Sequence, residues 1–197
     1  MNKIVPNDAL LVPAAAKKVY QGTIFSTYHW DQQMYDGSTQ VFEMLKRTDT
    51  VDVLAVHDNK IVLIVDEQPG RGPIIGFPGG RVDPGEDWLT AGNRELLEET
   101  GYSFEDLKLV NVLQPVHKIE WFTVLYLASS FVSLSEQSTE LAGEKIEIRL
   151  VDFDEFMKLA SDPNNKRLYQ HYEIFKGAAS LGDITVLHEF KGRVVDR

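Results

Sequence analysis

No cysteine occurs in the 197 residues. Disulfides, zinc–thiolate sites, iron–sulfur clusters and thiol nucleophiles are therefore excluded. Positive charge is scarce as well: 20 Lys and Arg stand against 30 Asp and Glu, a formal net charge of -10. Proteins that grip a phosphate backbone at large need basic clusters, so no nucleic-acid partner is expected. Nothing approaches the run of about 18 apolar residues that a membrane-spanning helix needs, so no membrane partner is expected either. The histidines at 29, 57, 117, 171 and 188 show no HExxH or other metal spacing. Gly70, Gly72 and Gly76 form no dinucleotide fingerprint, and no GK[ST] follows a phosphate loop. Residues 9–16 (ALLVPAAA) resemble a short signal-peptide core. Pro13 interrupts it, however, Asp8 precedes it, and only Lys3 supplies positive charge upstream, so the expected location is the cytoplasm.

What is present is a chain 43% hydrophobic and 25% charged, enough to bury a core around one domain of ordinary to large size. The acidic excess suits solubility, or the holding of a divalent cation. Residues 17–29 and 39–47 read as strands joined across Asp36-Gly37, a dipeptide suited to a tight hairpin turn. Residues 51–57 and 60–66, rich in Val, Ile and Leu, flank Asp58-Asn59 and predict a second hairpin. Residues 67–86, dense in glycine and proline, read as one long loop of the kind that carries function. A helix is expected from Trp88 to Thr100, capped by Asp87 and ended by Gly101. Strands follow near 109–116, 121–132 and 146–151, then helices at 153–161 and 166–178; residues 183–190 suit either element. The order predicts an α/β fold, a mixed sheet sandwiched by helices. Residues 1–48 read as a strand extension with too little apolar content for a core of its own, and 49–197 as the main domain.

Residues 80–102 read GRVDPGEDWLTAGNRELLEETGY. At 100° per residue, Leu89, Leu96 and Leu97 share an arc of about 100° that suits the core. Glu95, Glu98 and Glu99 share another arc of about 100°, directed away from it. Three carboxylates this close repel one another unless neutralised. Arg94 braces Glu98 at four residues' spacing, but one arginine does not balance three glutamates. A divalent cation does, and magnesium or manganese takes carboxylate oxygens while keeping waters for substrate phosphates.

The segment matches G-x5-E-x7-R-E-U-x-E-E-x-G-U, where U is bulky and apolar, through Gly80, Glu86, Arg94, Glu95, Leu96, Glu98, Glu99 and Gly101, with Tyr102 where an aliphatic residue is commoner. Seven fixed positions agree by chance about once in 10⁸ starts. The pattern resembles the Nudix box, and the resemblance to Nudix hydrolases covers roughly residues 49–155. It implies an αβα sandwich and hydrolysis of a nucleoside diphosphate linked to another group, X. By that resemblance Glu95, Glu98 and Glu99 hold Mg2+ (or Mn2+), joined by the carbonyl of Gly79. Glu86 supports the loop or reaches a metal through water, and Arg94 orients the glutamates.

Three features resemble the ADP-ribose pyrophosphatase branch, which cleaves nucleoside diphosphate sugars. Residues 67–71 (EQPGR) are similar to that branch's E-Q-x-R stretch, with Gln68 and Arg71 as substrate contacts; Arg71 is then either a phosphate clamp or a solvated loop residue. Pro115 lies thirteen residues after Tyr102, close to the branch's downstream proline, although Val116-His117-Lys118 replace the glycines that usually follow. The N-terminal hairpin resembles the segment this branch uses to form homodimers and complete the partner's site. Phe77 departs from the Glu-Leu-Pro of many ADP-ribose enzymes. Tyr28 and Trp30 serve either to stack on a base or to pack the strand. The branch takes its general base from a loop beyond the box. Glu144 matches its position best, Glu140 and Glu147 are close rivals, and Glu98 is the remaining candidate. The expected reaction is hydrolysis of ADP-ribose, or of another nucleoside diphosphate sugar, to a nucleoside monophosphate and a sugar phosphate. Hydrolysis of nucleoside triphosphates and non-catalytic sensing of ADP-ribose are the alternatives.

Overall fold

The computed structural model describes residues 2–138 and 145–196. In chain order the strands are β1 (Asn2–Val5), β2 (Lys17–Gln21), β3 (Ser26–Gln33), β4 (Thr39–Lys46), β5 (Thr50–His57), β6 (Lys60–Gln68), β7 (Arg71–Gly76), β8 (Tyr102–Leu113), β9 (Ile119–Glu120), β10 (Thr123–Leu134), β11 (Lys145–Val151) and β12 (Arg193–Asp196). The α-helices are α1 (Trp88–Thr100), α2 (Phe153–Ala160), α3 (Lys166–Tyr169) and α4 (Leu181–Thr185). The chain forms two compact units.

The larger unit, residues 50–111 and 124–190, is built on a six-stranded sheet ordered β11-β6-β5-β10-β8, with β7 also paired to β6. Side chains alternate across a strand, and here both faces are buried. Leu54, Ile61, Leu63, Leu125 and Leu127 point to one face, where Phe156 of α2, Leu168 of α3, Phe175 and Ile184 of α4 cover them. Val53, Ala55, Val62 and Ala128 point to the other, where Leu96 of α1, Tyr102 and Phe104 cover them. Helices on both faces of one sheet make the expected αβα sandwich. Tyr102 takes the packing role of the aliphatic residue it replaces, edge-on to His57 and Phe131.

The β5–β6 hairpin turns at Asp58 and Asn59, whose φ values of 47° and 58° are those of the tight turn expected there. The stretch from 67 to 86 is not one loop. Its first part forms β7, antiparallel to β6 with Arg71 opposite Gln68, because Gly70 at φ 81° lets the chain reverse at once. The helical pattern at 166–178 is likewise broken, into α3 and a 3-10 turn at Tyr172–Ile174.

The smaller unit comprises Met1–Asp49, Val112–Thr123 and Lys191–Arg197. The expected single strand over 17–29 is two, because the chain turns at Gly22, whose N–H donates to the Phe25 carbonyl at 2.8 Å. The β3–β4 hairpin closes across Asp36-Gly37 as expected, Gln33 opposite Thr39. The sheet runs β2-β3-β4-β9, and β1 pairs with β12, a strand with no clear signal in the sequence. Two buried carboxylates tie the unit together. Asp49 accepts from Lys3 Nζ at 2.6 Å and from the Phe122 N–H at 3.0 Å, and Glu120 from the Val12 N–H at 2.6 Å and Lys46 Nζ at 2.5 Å.

Candidate active site

The site grows from the junction of β5, the turn at 77–81 and α1. The turn is pinned to β5 by Val53 N–H donating to the Pro78 carbonyl at 2.8 Å and Val51 N–H to the Gly80 carbonyl at 2.9 Å. Gly79 adopts φ 152°, and a Cβ there would lie 2.0 Å from the Val51 carbonyl oxygen. No other residue fits.

Helix α1 starts where Asp87 accepts from the Thr90 N–H at 2.7 Å, and ends at Gly101, φ 73°, whose N–H returns to the Leu97 carbonyl. Its buried stripe is not the one the leucines suggest. Leu96 is buried, but Leu89 and Leu97 are 45% and 44% exposed. Trp88, Ala91, Gly92, Glu95, Leu96, Glu99 and Thr100 face inward instead. Glu95 and Glu99 therefore point into the protein rather than away from the core, and of the three only Glu98 is half-buried.

The inward glutamates are received by backbone. Glu99 Oε2 accepts from the Gly79 N–H at 2.6 Å. The Glu95 carboxylate lies over Gly80, where a Cβ would approach Oε1 to 2.5 Å. Burial pushes the Glu99 carboxyl up to about 8, against the lowering influence of the Gly79 bond and of Arg167. Burial also raises Glu95, opposed by Arg94.

Arg94 binds Glu86 through two parallel bonds, Nε to Oε1 at 3.0 Å and Nη2 to Oε2 at 2.9 Å. Its Nη1 reaches Glu95 Oε1 at 2.9 Å and Glu98 Oε2 at 3.2 Å, and Nη2 also donates to the Arg81 carbonyl. Glu86 in turn accepts from the Asp83 N–H at 3.1 Å, so it anchors the loop. The Arg94 bonds hold the Glu86 carboxyl below its ordinary range. The carbonyls left free at the end of α1 are taken by residues 135–138: Ser138 N–H donates to Glu98 at 3.1 Å, Ser135 N–H to Gly101 at 2.9 Å, and the Gln137 amide to Glu99.

Asp66, buried at 5% exposure, forms a second centre. Arg71 is ion-paired to its Oδ2, and the Gln68 amide lies 3.4 Å from the same atom. Arg167 of α3, which the sequence did not single out, reaches it with Nη1 at 3.5 Å. Arg167 Nη2 donates to the carbonyls of Phe77 at 3.0 Å and Gly79 at 3.1 Å, and lies 3.6 Å from Asp52. Asp52 also faces the buried His171, at 3.3 Å. Nothing local marks Arg167; only the fold brings it to residues 88 positions away.

The structure thus gathers Gly79, Glu86, Arg94, Glu95, Glu98 and Glu99, with Gln68 and Arg71 together at Asp66. Trp30 belongs to the smaller unit, where its indole donates to Gln32 at 3.1 Å and its ring lies 5.9 Å from that of Phe42. Glu147 is exposed on β11. Glu140 and Glu144 lie outside the described residues.

The donors around Gly79 and Gly80 are all oxygens, a set suited to a hard divalent cation. Among the described residues, no three acidic or histidine side chains form a ready-made cation cage, Arg94 being engaged with Glu95 and Glu98. The buried, raised carboxyl of Glu99 is nonetheless the kind of group a cation relieves.

Residues 46–172 match the NUDIX domain. The ADP-ribose pyrophosphatase of Bacillus subtilis (strain 168) is 26% identical over 148 residues, which cover 74% of this chain and 80% of that protein. The ADP compounds hydrolase NudE of Escherichia coli (strain K12) is 31% identical over 98 residues, 48% of this chain and 53% of its own length. The methanol dehydrogenase activator of Bacillus methanolicus is 30% identical over 94 residues, 47% of this chain and 51% of its own. The chain thus matches about half the length of the last two. In fold it resembles the crystal structure of an ADP compounds hydrolase, with a TM-score of 0.64 at 23% identity over 85% of this chain and 95% of that one. The chain belongs to the Nudix family and is a hydrolase of pyrophosphate bonds.

Proposed function

We propose that the protein is a metal-dependent pyrophosphohydrolase that cleaves the diphosphate of a nucleoside diphosphate sugar, ADP-ribose being the first substrate. The observation that carries this reading is the convergence of Glu95 and Glu99 on the Gly79-Gly80 turn, with Glu98 beside them on Arg94. Similarity to the B. subtilis ADP-ribose pyrophosphatase over 74% of the chain supports the substrate class.

The residues that would hold Mg2+ are Glu95, Glu98, Glu99 and the Gly79 carbonyl. A divalent cation held there would supply charge screening for the diphosphate and a more acidic water as nucleophile. The chain's own part is to position the groups. Glu86 fixes the loop through Arg94, and Arg94 keeps Glu95 and Glu98 from repelling each other. Arg71 and Gln68 would meet the substrate. Glu144 is our first assignment for the general base, from its place in the sequence just before the strand at 146–151. Glu140 and Glu147 are its rivals, and Glu98 is the base if none of the three is. We further propose a homodimer formed through the N-terminal strands, Trp30 among the residues that complete the substrate site, and a cytoplasmic location.

The test is AMP release from ADP-ribose with and without magnesium, in wild type and Glu99→Gln. Magnesium-dependent AMP, lost in the variant, is expected. Turnover that ignores both magnesium and the substitution would overturn the metal assignment. Absence of AMP, with release from a nucleoside triphosphate instead, would overturn the substrate class.

A further inference from the structure

Arg167 is held on four sides by groups far away in sequence. The two hydrogens of its Nη2 serve two carbonyls of one turn, Phe77 at 3.0 Å and Gly79 at 3.1 Å. Asp52 on β5 and Asp66 on β6 flank the guanidinium at 3.6 and 3.5 Å, and both are buried. An arginine between two buried carboxylates has little freedom to turn, because its planar fork is already matched to them. Its direction is set before it meets the turn.

The space it occupies is also built. At Gly76, the last residue of β7, a Cβ would lie 2.8 Å from Arg167 Nε, 3.0 Å from Cδ and 3.1 Å from Cβ. The missing side chain at 76 is the channel through which Arg167 passes. Gly72 on the same strand has nothing within 4 Å of such a Cβ, so absence of a side chain is not a general need of β7.

What Arg167 grips is the peptide that addresses the box. Gly79 donates its N–H to Glu99 Oε2 at 2.6 Å, while its carbonyl accepts from Arg167. With φ at 152°, Gly79 sits in a region that needs support from its surroundings. Two hydrogen bonds from one nitrogen, to residues 77 and 79, fix the plane of this turn.

We propose that Arg167 is a positioning residue for the metal site, acting through the Gly79 peptide and admitted by Gly76. This rests on the metal-binding reading above. Groups that hold a ligand in place from behind change metal affinity by roughly 10–100-fold when removed.

The test is Mn2+ binding to the full chain without nucleotide, by titration calorimetry, with thermal melts of the metal-free proteins alongside. Arg167→Met should weaken Mn2+ by about 10–100-fold. Arg167→Lys keeps a charge for Asp52 and Asp66 but cannot span both carbonyls, and should fall between. Gly76→Ala displaces the guanidinium without removing it, and should shift affinity in the same direction. Gly72→Ala should match wild type. If wild type binds Mn2+ while Arg167→Met, Arg167→Lys and Gly76→Ala bind it equally well, whatever their melting temperatures, Arg167 is structural only and the proposal is overturned. If wild type itself binds no Mn2+, the metal reading falls, and this proposal with it.

Discussion

The Gly79 N–H donates to Glu99 Oε2 at 2.6 Å across 20 residues of chain. This one bond joins the turn before the box to the last glutamate within it. It also explains why Glu99 is tolerated at 7% exposure: a buried carboxylate needs a donor, and here the donor is a backbone N–H, which every residue but proline carries.

Gly79→Ala should be severely destabilising. A Cβ would meet the Val51 carbonyl at 2.0 Å, and φ 152° adds strain of about 1–3 kcal/mol even without the clash. Gly85→Ala, with φ 86° but open space, should carry the strain alone. Urea unfolding of the two variants separates clash from strain, and equal midpoints would contradict the geometry.

The metal-free protein should lose stability as pH rises through 8. Glu99 has a folded value of about 8 against an ordinary 4.5, so its contribution is complete below 4.5 and gone above 8. Melting temperatures in chelator should fall between pH 5 and 9. The fall should be shallower in Glu99→Gln, which has no proton to lose.

Arg94→Lys should not be conservative. Lysine cannot make the paired bonds to Glu86 while reaching Glu95 and Glu98, and charged hydrogen bonds contribute about 1.5–3 kcal/mol each. Because Arg94 lowers Glu86, the stability it supplies is present above pH 4.5 and lost as pH falls further. The difference between wild type and variant in urea should therefore be large at pH 7 and shrink towards pH 3.

Phe156→Ala should remove about 3–5 kcal/mol. Its ring is fully buried between Phe77, 6.0 Å away, and Phe175, 5.2 Å away. A calorimetric melt checks this, and a loss under 1 kcal/mol would mean that the site collapses around the void. Phe77 belongs to the same cluster, which gives the departure from Glu-Leu-Pro a packing reason.

Much of this was legible in the sequence because it is local. The caps of α1, the hairpin turns at Asp36-Gly37 and Asp58-Asn59, and the spacing of the box each depend on neighbours within a few residues. Dihedral preferences and side-chain reach act at that range. What was misread depended on partners elsewhere. The leucines of α1 suggested a core face, yet the helix turns Glu95 and Glu99 inward, because the Gly79-Gly80 turn offers a donor and an open surface there. Strand β7 was hidden among glycines and prolines, since its pairing comes from β6. Arg167 had no motif at all. The sequence by itself determined the family, the carboxylates and their spacing along one helix. Only tertiary structure decided which of those carboxylates are buried and which cation holds the turn they face, because burial and long-range ion pairing are properties of the packed sheet and not of any segment.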